Sequence, residues 1–245
     1  MKKYDLFSIH GKNISVSKSL KDGFKIADTA FTFINNDGYY ELHKDSEHIT
    51  NFSQYCEHIE IRPTLLDKPL FIKLKKPVTV LPNETVNFSL ERPLDGELVI
   101  NHEEKTTLLH KFSLYDYKLI NYGIVTDGIV CYYIESDIIE KPRNGNFALV
   151  PVSVINKHNK PTLISKIIID KNFLKILVTP SMFMTNNATV RVRTEKVAYI
   201  SYTKNKDENF EILKTYDFEN EKKQPAIFKM LKSFKKKGTG IEYGF

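Results

Sequence analysis

The chain has 245 residues, of which 41% are hydrophobic and 27% are charged. This composition is that of a globular protein and excludes a disordered or fibrous chain. No run of residues approaches the roughly 18 apolar residues that a membrane-spanning helix needs. The first residues include a charged pair but no apolar signal core and no small-residue cleavage site, which predicts a cytoplasmic protein.

The net charge of +6 is concentrated near the C-terminal end of the sequence. Residues 221–245 contain seven lysines against Glu221 and Glu242, whereas the other 220 residues contain 29 basic and 28 acidic side chains. The body of the protein is therefore close to neutral. A body that binds nucleic acid carries a basic face with a clear local excess, so the composition argues against nucleic acid as a partner.

Early in the chain, apolar and polar residues alternate with a period of two, which is typical of half-buried strands. Phe31 and Phe33 alternate in this way. The segment NNDG, Asn35–Gly38, then supplies turn chemistry before another strand candidate, GYYELHK. The pattern predicts a hairpin at this point.

The next block predicts three strands joined by two turns. LFIKLKKPVTV and VNFSLE are strand candidates on either side of the turn LPNET, and PLDG separates them from ELVIN. Val86, Phe88 and Leu90 share one face of the second strand. Pro77 lies inside the first strand, which indicates a sheet edge or a break there.

The second half of the chain repeats this style. Strand candidates recur about every ten residues, with a turn at Arg143–Asn146 and with alternation of Val150, Val152 and Val154. The segment ENFEILKTYDFENE suits a helix or a strand, and the pattern does not choose between them. Evenly spaced short strands with polar turns predict an all-β sandwich or barrel.

We therefore expect a mainly β protein with an antiparallel, sandwich-like architecture. The style of the two halves predicts an N-terminal β half at 1–105 and a C-terminal β half at 106–220, joined near residues 102–108. Residues 221–245 form a third segment, a basic amphipathic helix with a closing stretch. One continuous domain is the alternative to two stacked halves.

Residues 226–237 have the pattern of a short amphipathic helix, with Pro225 before it and Gly238 after it. Five apolar side chains span an arc of about 160° on a helical wheel, with lysines on much of the remainder. A terminal helix docked on the fold accounts for this pattern, and so does a contact with an anionic membrane or another polyanion. The candidate contact residues are Lys229, Lys232, Lys235, Lys236 and Lys237.

His43, His48, Cys56 and His58 are the best candidates for a metal cluster. Imidazole and thiolate groups from a hairpin can converge on zinc. The spacings match no established zinc signature, however, and Cys56 and Cys131 lie outside any CxxC pattern. We favour surface histidines in a polar segment with Cys56 packed inward, and we predict no cofactor.

Glu135 and Asp137 share one face of a strand close to Tyr133. Paired carboxylates can carry out acid–base catalysis if burial or mutual repulsion raises the pKa of one of them. The same pattern describes the solvated face of an antiparallel sheet. The second interpretation is preferred.

The chain contains 13 tyrosines and 16 phenylalanines, some of them close to lysines in KKYDLF, SLYDYK and VAYISYTKNK. Aromatic rings next to lysines can stack the bases of single-stranded nucleic acid. Aromatic residues are also ordinary strand residues, and the neutral body would attract phosphates weakly. We prefer the ordinary strand interpretation.

The segment 111–138, KFSLYDYKLINYGIVTDGIVCYYIESDI, resembles an uncharacterised archaeal protein family, domain of unknown function 432. Residues 150–178 are similar to that family's block of apolar strands around a polar turn, and the final GIEYGF is similar to its terminal motif, with Ile241 in place of Met. The residues that carry the resemblance are Phe112, Ser113, Leu114, Tyr122, Gly123, Gly128, Ile129, Val130, Cys131, Tyr133, Ser136 and Asp137.

The resemblance covers most of the chain and is strongest from about residue 110 onward. It implies a cytoplasmic archaeal protein whose basic C-terminal segment ends in an ordered stretch. It implies no activity and assigns no role to any residue.

These observations favour a non-enzymatic cytoplasmic interaction module whose partner is another protein, with the basic segment providing electrostatic steering. The first alternative is peripheral association with an anionic membrane or a membrane protein through residues 222–237. A metal-dependent enzyme that uses the histidine and cysteine cluster is the less favoured alternative.

Overall fold

A computed structural model gives the structure of the protein. The regular structure of the described residues consists of strands and one short 3₁₀ helix, Lys171–Phe173, which confirms the prediction of a mainly β fold. Within the described residues, no helix is long and apolar enough to cross a membrane. The structure describes Phe7 and residues 16–19, 23–26, 28–52, 58–102, 105–123, 128–142, 146–179, 181–195, 197–203 and 211–215.

The chain forms two compact units and passes between them several times. The predicted division into the consecutive segments 1–105, 106–220 and 221–245 remains a prediction. The two compact units are defined differently, because each contains three separate stretches of the chain. Unit 1 comprises Met1–Leu66, Pro93–Tyr115 and Arg143–Phe147, and unit 2 comprises Asp67–Arg92, Asp116–Pro142 and Ala148–Phe245.

Among its described residues, unit 1 contains two antiparallel sheets of four strands each. The first sheet has the order β1 (Val16–Ser19), β6 (His58–Thr64), β9 (Asp95–His102), β10 (Lys105–Phe112). The second has the order β2 (Phe24–Ile26), β3 (Thr29–Asn36), β4 (Tyr39–Lys44), β5 (Glu47–Phe52).

Tight turns join the strands of the second sheet. The predicted turn in NNDG is confirmed, because β3 ends at Asn36, β4 begins at Tyr39, and Gly38 has φ of 90°. The next turn has positive φ at both Asp45 and Ser46. Consecutive left-handed residues match the right-handed twist of the flanking strands, which explains the two-residue connection between β4 and β5.

A cluster of aromatic rings lies in the core of unit 1, among buried leucine and isoleucine side chains. Phe31 on β3 is fully buried, and its ring centroid lies 5.1 Å from that of Phe112 on β10 and 5.3 Å from that of Phe24. Gly96 on β9 pairs with Phe112, and a Cβ atom at Gly96 would lie 2.1 Å from Phe112 Cζ. The two sheets of unit 1 therefore meet face to face through rings, one of which occupies the space that glycine leaves.

Unit 2 also contains two sheets within its described residues. The first has the order β11 (Lys118–Tyr122), β12 (Ile129–Ser136), β7 (Leu70–Val80), β14 (Thr162–Ile169). The second has the order β18 (Val197–Tyr202), β17 (Ala188–Thr194), β13 (Phe147–Asn156), β16 (Phe183–Thr185), β15 (Lys175–Val178), β19 (Glu211–Thr215), and β8 (Thr85–Pro93) pairs with β13.

These sheets are not purely antiparallel. β12 runs parallel to β7, and β13 runs parallel to both β16 and β17. The segment that suited either a helix or a strand contains β19. Pro77 falls where the register of β7 against β14 shifts and beyond Leu70–Leu74, the part of β7 that pairs with β12, so the predicted break is confirmed.

Alternating valines build the core of unit 2, and buried amides fix its strand ends. Val150, Val152 and Val154 are buried on β13, as their alternation predicts. Asn156 donates to the carbonyl oxygens of Val80 and Lys160, at 2.9 Å each, and its own oxygen accepts from the backbone N–H of His158 at 2.9 Å.

Asn186 has the same function at another strand end. Its Nδ2 donates to the carbonyl oxygens of Phe173 and Thr203, at 2.9 and 3.0 Å, and its Oδ1 accepts from the backbone N–H of Lys175 at 2.9 Å. Each of these buried asparagines therefore forms hydrogen bonds with three backbone groups near strand ends.

Candidate functional site

The predicted polyanion contacts lie outside the described residues. This applies to Lys229, Lys232, Lys235, Lys236 and Lys237 and to the whole predicted helix at 226–237. Both interpretations of that segment, the docked helix and the membrane contact, stay predictions.

Two of the four candidate metal ligands lie side by side in unit 1. His43 on β4 pairs with His48 on β5, and their ring centroids are 5.5 Å apart. His43 Nε2 lies 2.9 Å from Glu41 Oε2, and His48 Nε2 lies 2.6 Å from Asn51 Oδ1. The hydrogen bond from His43 lowers the pKa of Glu41, so this carboxylate is ionised at neutral pH.

Of the other two candidates, only His58 is described by the structure. His58 begins β6, in the first sheet of unit 1, and Cys56 lies outside the described residues. Among the residues that the structure describes, no group of three histidine, cysteine or acidic side chains could hold a metal ion. The described part of the predicted cluster is a hydrogen-bonded surface pair.

The carboxylates of Glu135 and Asp137 form ion pairs on an exposed strand face. Lys73 Nζ lies 3.3 Å from Glu135, and Lys75 Nζ lies 2.7 Å from Asp137. Tyr133 donates to Glu135 Oε1 at 2.7 Å, and this bond, with that of Lys73, lowers the pKa of Glu135. The interpretation as a solvated strand face is confirmed.

An aromatic row lies on the same face of this sheet. The ring of Phe71 on β7 lies 5.5 Å from that of Tyr122 and 5.8 Å from that of Tyr133. Lys166 Nζ stands 5.6 Å from the centre of the Tyr122 ring. Burial, together with the bond to Glu135, raises the pKa of Tyr133 to about 12, so its phenol stays protonated.

The opposite face of β11 and β12 carries exposed apolar residues. Leu119 pairs with Tyr132, and Val130 lies two residues before Tyr132, so all three side chains lie on one side. Leu119 is 59% exposed and Val130 is 46% exposed. The Tyr117 ring lies 4.4 Å from that of Tyr132. We call Tyr117, Leu119, Val130 and Tyr132 the β11–β12 apolar surface.

This surface continues the buried side of its sheet. Ile134 follows Tyr132 on the same face of β12, pairs with Ile72 on β7, and both are buried. Toward β11, at the end of the sheet, the same face becomes exposed. Lys68 covers part of it, with Nζ 5.5 Å from the centre of the Tyr132 ring.

A polar cluster lies inside unit 2. Tyr202 on β18 pairs with Ala188, which pairs with Val152, and both partners are buried. Tyr202 therefore lies on the core side of its sheet, where its hydroxyl accepts a hydrogen bond of 3.0 Å from the backbone N–H of Asp170. Burial raises the pKa of Tyr202, whereas the nearby charge of Arg92 lowers it.

Arg92 is the unusual member of this cluster. Only 3% of the side chain is exposed, and neither Nε nor Nη1 has a hydrogen-bond partner among the residues that the structure describes. A buried charged donor without an acceptor is costly, and arginine cannot relieve that cost by losing its proton. Arg92 and Asp170 are buried and Tyr202 is half-buried, and we call these three residues the buried polar cluster.

Cys131 lies close to the buried polar cluster but is chemically inert. The thiol is fully buried and free. Burial raises its pKa to about 12, and the charge of Asp170 acts in the same direction. Because the thiolate is the reactive form, this cysteine is not a nucleophile at neutral pH.

The sequence patterns did not identify the buried polar cluster or the β11–β12 apolar surface. A signal for Arg92 was present, since the face shared by Val86, Phe88 and Leu90 continues to Arg92 with the same period of two. An arginine on an apolar strand face indicates a buried charge. No comparable signal separates an exposed Leu119 from a buried one.

Several residues of the family-like segment have structural contacts in the fold. Ser113 donates to Asp95 Oδ1 at 3.1 Å and also bonds the backbone of Tyr115, which fixes the chain after β10. A Cβ atom at Gly128 would lie 2.0 Å from Asn121 Oδ1, so the glycine makes room for that side chain. These contacts explain the residue types without assigning them a chemical role.

Comparison with curated proteins and with solved structures finds no match for this chain. A family model described as "Protein of unknown function (DUF432)" matches residues 3–234. The match covers both units and nearly all of the sequence. The chain belongs to the DUF432 family of proteins of unknown function.

Proposed function

We propose that the protein is a non-enzymatic interaction module of the archaeal cytoplasm that binds another protein through the β11–β12 apolar surface. The observation that carries this proposal is the exposure of Leu119 and Val130, 59% and 46%, beside two tyrosines at the end of a sheet. The proposed source and location rest on the sequence resemblance.

The composition of the surface suits protein recognition. Tyrosines are enriched among the residues that dominate binding energy, and apolar neighbours exclude water around them. A stable interface buries about 800 Å² per partner, more than four side chains supply. Among the described residues β11 is the end strand of its sheet, and a strand at a sheet edge can accept a further strand from a partner.

Charges near the surface favour an acidic partner. Lys68 lies over the Tyr132 ring, and Lys118 on β11 is exposed beside Leu119. The lysines of residues 221–245 add positive charge to the same chain. Such charges accelerate the encounter with an acidic protein, and this electrostatic attraction weakens as the salt concentration rises.

The ion pairs of Glu135 and Asp137 favour binding over acid–base catalysis. A general acid at neutral pH needs a raised carboxyl pKa, whereas Tyr133 and Lys73 lower the pKa of Glu135. This carboxylate therefore suits an ion pair better than proton donation.

The proposal can be tested by photo-crosslinking in cells of the source organism. A photo-reactive residue at position 119 should capture a defined protein that a residue at position 163 does not. Leu163 on β14 is the matched control, since it is 49% exposed at the other end of the same sheet. The captured protein is then purified, and its affinity for the wild-type protein is measured by titration.

Two variants decide whether the surface carries the binding. The double variant Leu119→Ser with Val130→Ser should weaken the reconstituted complex at least tenfold, whereas Leu163→Ser should leave it unchanged. Equal affinities for all three proteins, or capture of the same proteins from both positions, would contradict the proposal.

A second candidate is association with an anionic membrane through residues 222–237. The specific observation is the excess of seven lysines over two glutamates in 221–245, next to an apolar stripe in the sequence. Each lysine near an anionic bilayer contributes about 1 kcal/mol. The alternative target of the same charges is a nucleic acid.

Co-sedimentation with anionic vesicles, and a parallel titration with duplex DNA, separate these cases. The variant with Lys229, Lys232, Lys235, Lys236 and Lys237 changed to Gln keeps the apolar stripe. Vesicle binding that fades with salt and is lost in this variant supports a membrane contact. Binding to DNA alone, or to neither, rejects it.

A further inference from the structure

We propose that the partner of the β11–β12 apolar surface binds as an added β-strand along β11, through an extended segment in which an acidic residue adjoins an apolar one. This inference rests on the proposed protein-binding function and adds to it the mode of recognition and the chemistry of the bound segment. It starts from the backbone groups that β11 directs away from its sheet.

The hydrogen bonds of β12 show which of its residues face β11. The N–H of Tyr132 donates to the carbonyl oxygen of Pro69 at 2.9 Å, so the backbone groups of Tyr132 are directed toward β7. Successive residues of a strand direct their backbone groups to opposite sides. Cys131 and Tyr133 are therefore directed toward β11.

The same alternation leaves backbone groups of β11 at the edge of the sheet. Ile120 and Lys118 pair with the two residues of β12 that face β11, so their backbone groups belong to that ladder. Leu119 and Asn121 direct their N–H and C=O groups away from it. Among the described residues, no hydrogen bond reaches these outward groups. A row of such groups is a template for pairing with another chain.

The two end strands of this sheet, as far as the structure describes it, differ in their protection against pairing. The register of β14 against β7 shifts between Ile164 and Lys166, whereas β11 pairs with β12 without a shift. Irregular register and proline both blunt a sheet edge. The sequence of β11, KLINY, contains no proline and one lysine. β11 is therefore the end strand that accepts a partner more readily.

The side chains of β11 specify the chemistry of the added segment. Leu119 belongs to the β11–β12 apolar surface, so an apolar residue opposite it is favoured. Lys118 is exposed on the other face, and none of the ion pairs of the described residues includes it. A carboxylate opposite Lys118 forms a cross-strand charge pair. Because adjacent residues of a strand alternate faces, the segment carries the apolar and the acidic residue in succession.

Charge favours such a segment over two occupants that the chain itself could supply. A second copy has the same net charge of +6, and residues 221–245 contain seven lysines against two glutamates. Either would bring further positive charge toward Lys118 and toward Lys68, which lies over the Tyr132 ring. An acidic segment of a different protein therefore fits this edge best.

The probe is the acetylated and amidated peptide TVTVEVT, which as a strand has its valines on one face and its glutamate on the other. The peptide TVTVKVT is the charge-reversed probe. Isothermal titration calorimetry measures the affinity of each peptide for the full chain. The variants are Lys118→Glu, the double variant Leu119→Ser with Val130→Ser, and the matched control Leu163→Ser on β14.

We expect the wild type and Leu163→Ser to bind TVTVEVT roughly tenfold more tightly than the double variant does. Lys118→Glu should reverse the preference between the two peptides, because the charge at the cross-strand position changes sign. All substituted residues are exposed, and far-UV circular dichroism checks that each variant is folded.

Two further peptides test the backbone hydrogen bonds. One carries N-methyl groups on the valines of TVTVEVT, and the other carries them on the intervening residues. Only every second N–H of an added strand faces β11, so one of these peptides should lose binding and the other should keep it. Loss in the first indicates antiparallel pairing with Leu119 and Asn121, and loss in the second indicates parallel pairing.

Three results overturn the proposal: no binding of TVTVEVT, equal affinities for all variants, or binding that neither N-methylated peptide loses. If position 119 still captures a defined protein, the proposed function stands and the contact is made by side chains alone. If position 119 captures no protein, the proposed function fails and this inference fails with it. Self-association of the wild type that the double variant abolishes, measured by sedimentation velocity, would assign the edge to a second copy and overturn the acidic segment.

Discussion

The cores of the two units are stabilised by different kinds of contact. The core of unit 1 is joined by rings, with Phe31 against Phe112 and Gly96 opened to receive the second ring. The core of unit 2 contains buried polar groups among its valines, including Asn156 and Asn186. Apolar contact dominates the described core of one unit, and directed hydrogen bonds take a larger share in the other.

The strand connections show where this difference arises. In unit 1, two-residue turns join β3 to β4 and β4 to β5. In unit 2, side-chain amides bond backbone groups near strand ends, such as the carbonyl oxygens of Val80 and Thr203. Buried asparagines satisfy those groups, because an amide offers both donors and an acceptor.

The largest expected effect comes from removing the central ring of unit 1. Phe31→Ala should lower the free energy of unfolding by about 3–5 kcal/mol, because it empties a fully buried position between two sheets. Urea denaturation followed by circular dichroism measures the loss. Phe33→Ala, at a half-buried position on the same strand, is the control, and an equal loss there would contradict an aromatic core centred on Phe31.

Removing an amide from unit 2 should have the next largest effect. Asn156→Ala leaves two carbonyl oxygens and one N–H without their partner, at a cost of about 2–4 kcal/mol. The same denaturation assay applies. Asn187→Ala is the control, since Asn187 is only half-buried and donates to side-chain hydroxyls. Equal costs for both variants would remove the contrast between the two cores.

Adding one methyl group to unit 1 should have a smaller effect. Gly96→Ala places Cβ 2.1 Å from Phe112 Cζ, so the ring must move, at a cost of about 1–3 kcal/mol. The free energy of unfolding of the double variant with Phe112→Leu tests the cause. If the clash is the cause, the second substitution recovers part of the loss, whereas strictly additive losses would argue against it.

The smallest expected effect is a dependence of stability on pH that originates in unit 1. Burial, with a contribution from Lys44, lowers the pKa of His110 below its ordinary value of 6.5. The unfolded chain therefore binds more protons than the folded chain just below pH 6.5, so stability falls as pH falls through this value. Urea denaturation between pH 7 and pH 5 measures that decline.

Two variants test the assignment to His110. His110→Leu should flatten the decline, and Lys44→Met should reduce it, because the smaller of the two causes is removed. A decline that is unchanged in His110→Leu would assign the pH dependence to another group.

The sequence predicted the strand content well, because alternation reports directly on which side chains face a core. It correctly placed the turn at Gly38 and the break at Pro77, where glycine and proline impose backbone geometry. It did not reveal the parallel pairing of β7 with β12, since alternation contains no information on which strands become neighbours.

The candidate sites were less predictable for a related reason. The solvated face of Glu135 and Asp137 follows from strand periodicity, which the sequence shows, whereas their ion pairs depend on the pairing of β12 with β7. In the buried polar cluster, the Tyr202 hydroxyl accepts from the backbone N–H of Asp170, which lies 32 residues earlier, and only the folded chain brings these groups together. The exposure of Leu119 depends on where its sheet ends, which is also a property of the fold.

The position of β7 between two later strands has a consequence for biosynthesis. β12 and β14 both follow β7 in the chain, so β7 leaves the ribosome without either partner. At ordinary elongation rates, the first residues of β12 follow the end of β7 after about 2–10 s. During that interval an apolar strand is available to other nascent chains.

The exposed side of β7 opposes aggregation of this strand before its partner strands are synthesised. Lys73, Lys75, Lys76 and Pro77 interrupt its apolar residues, and charges and proline of this kind suppress intermolecular strand pairing. The lysines that later pair with Glu135 and Asp137 thus have an earlier function as gatekeepers against aggregation. The same two lysines therefore act twice, first against pairing with other nascent chains and then in the ion pairs of the folded sheet.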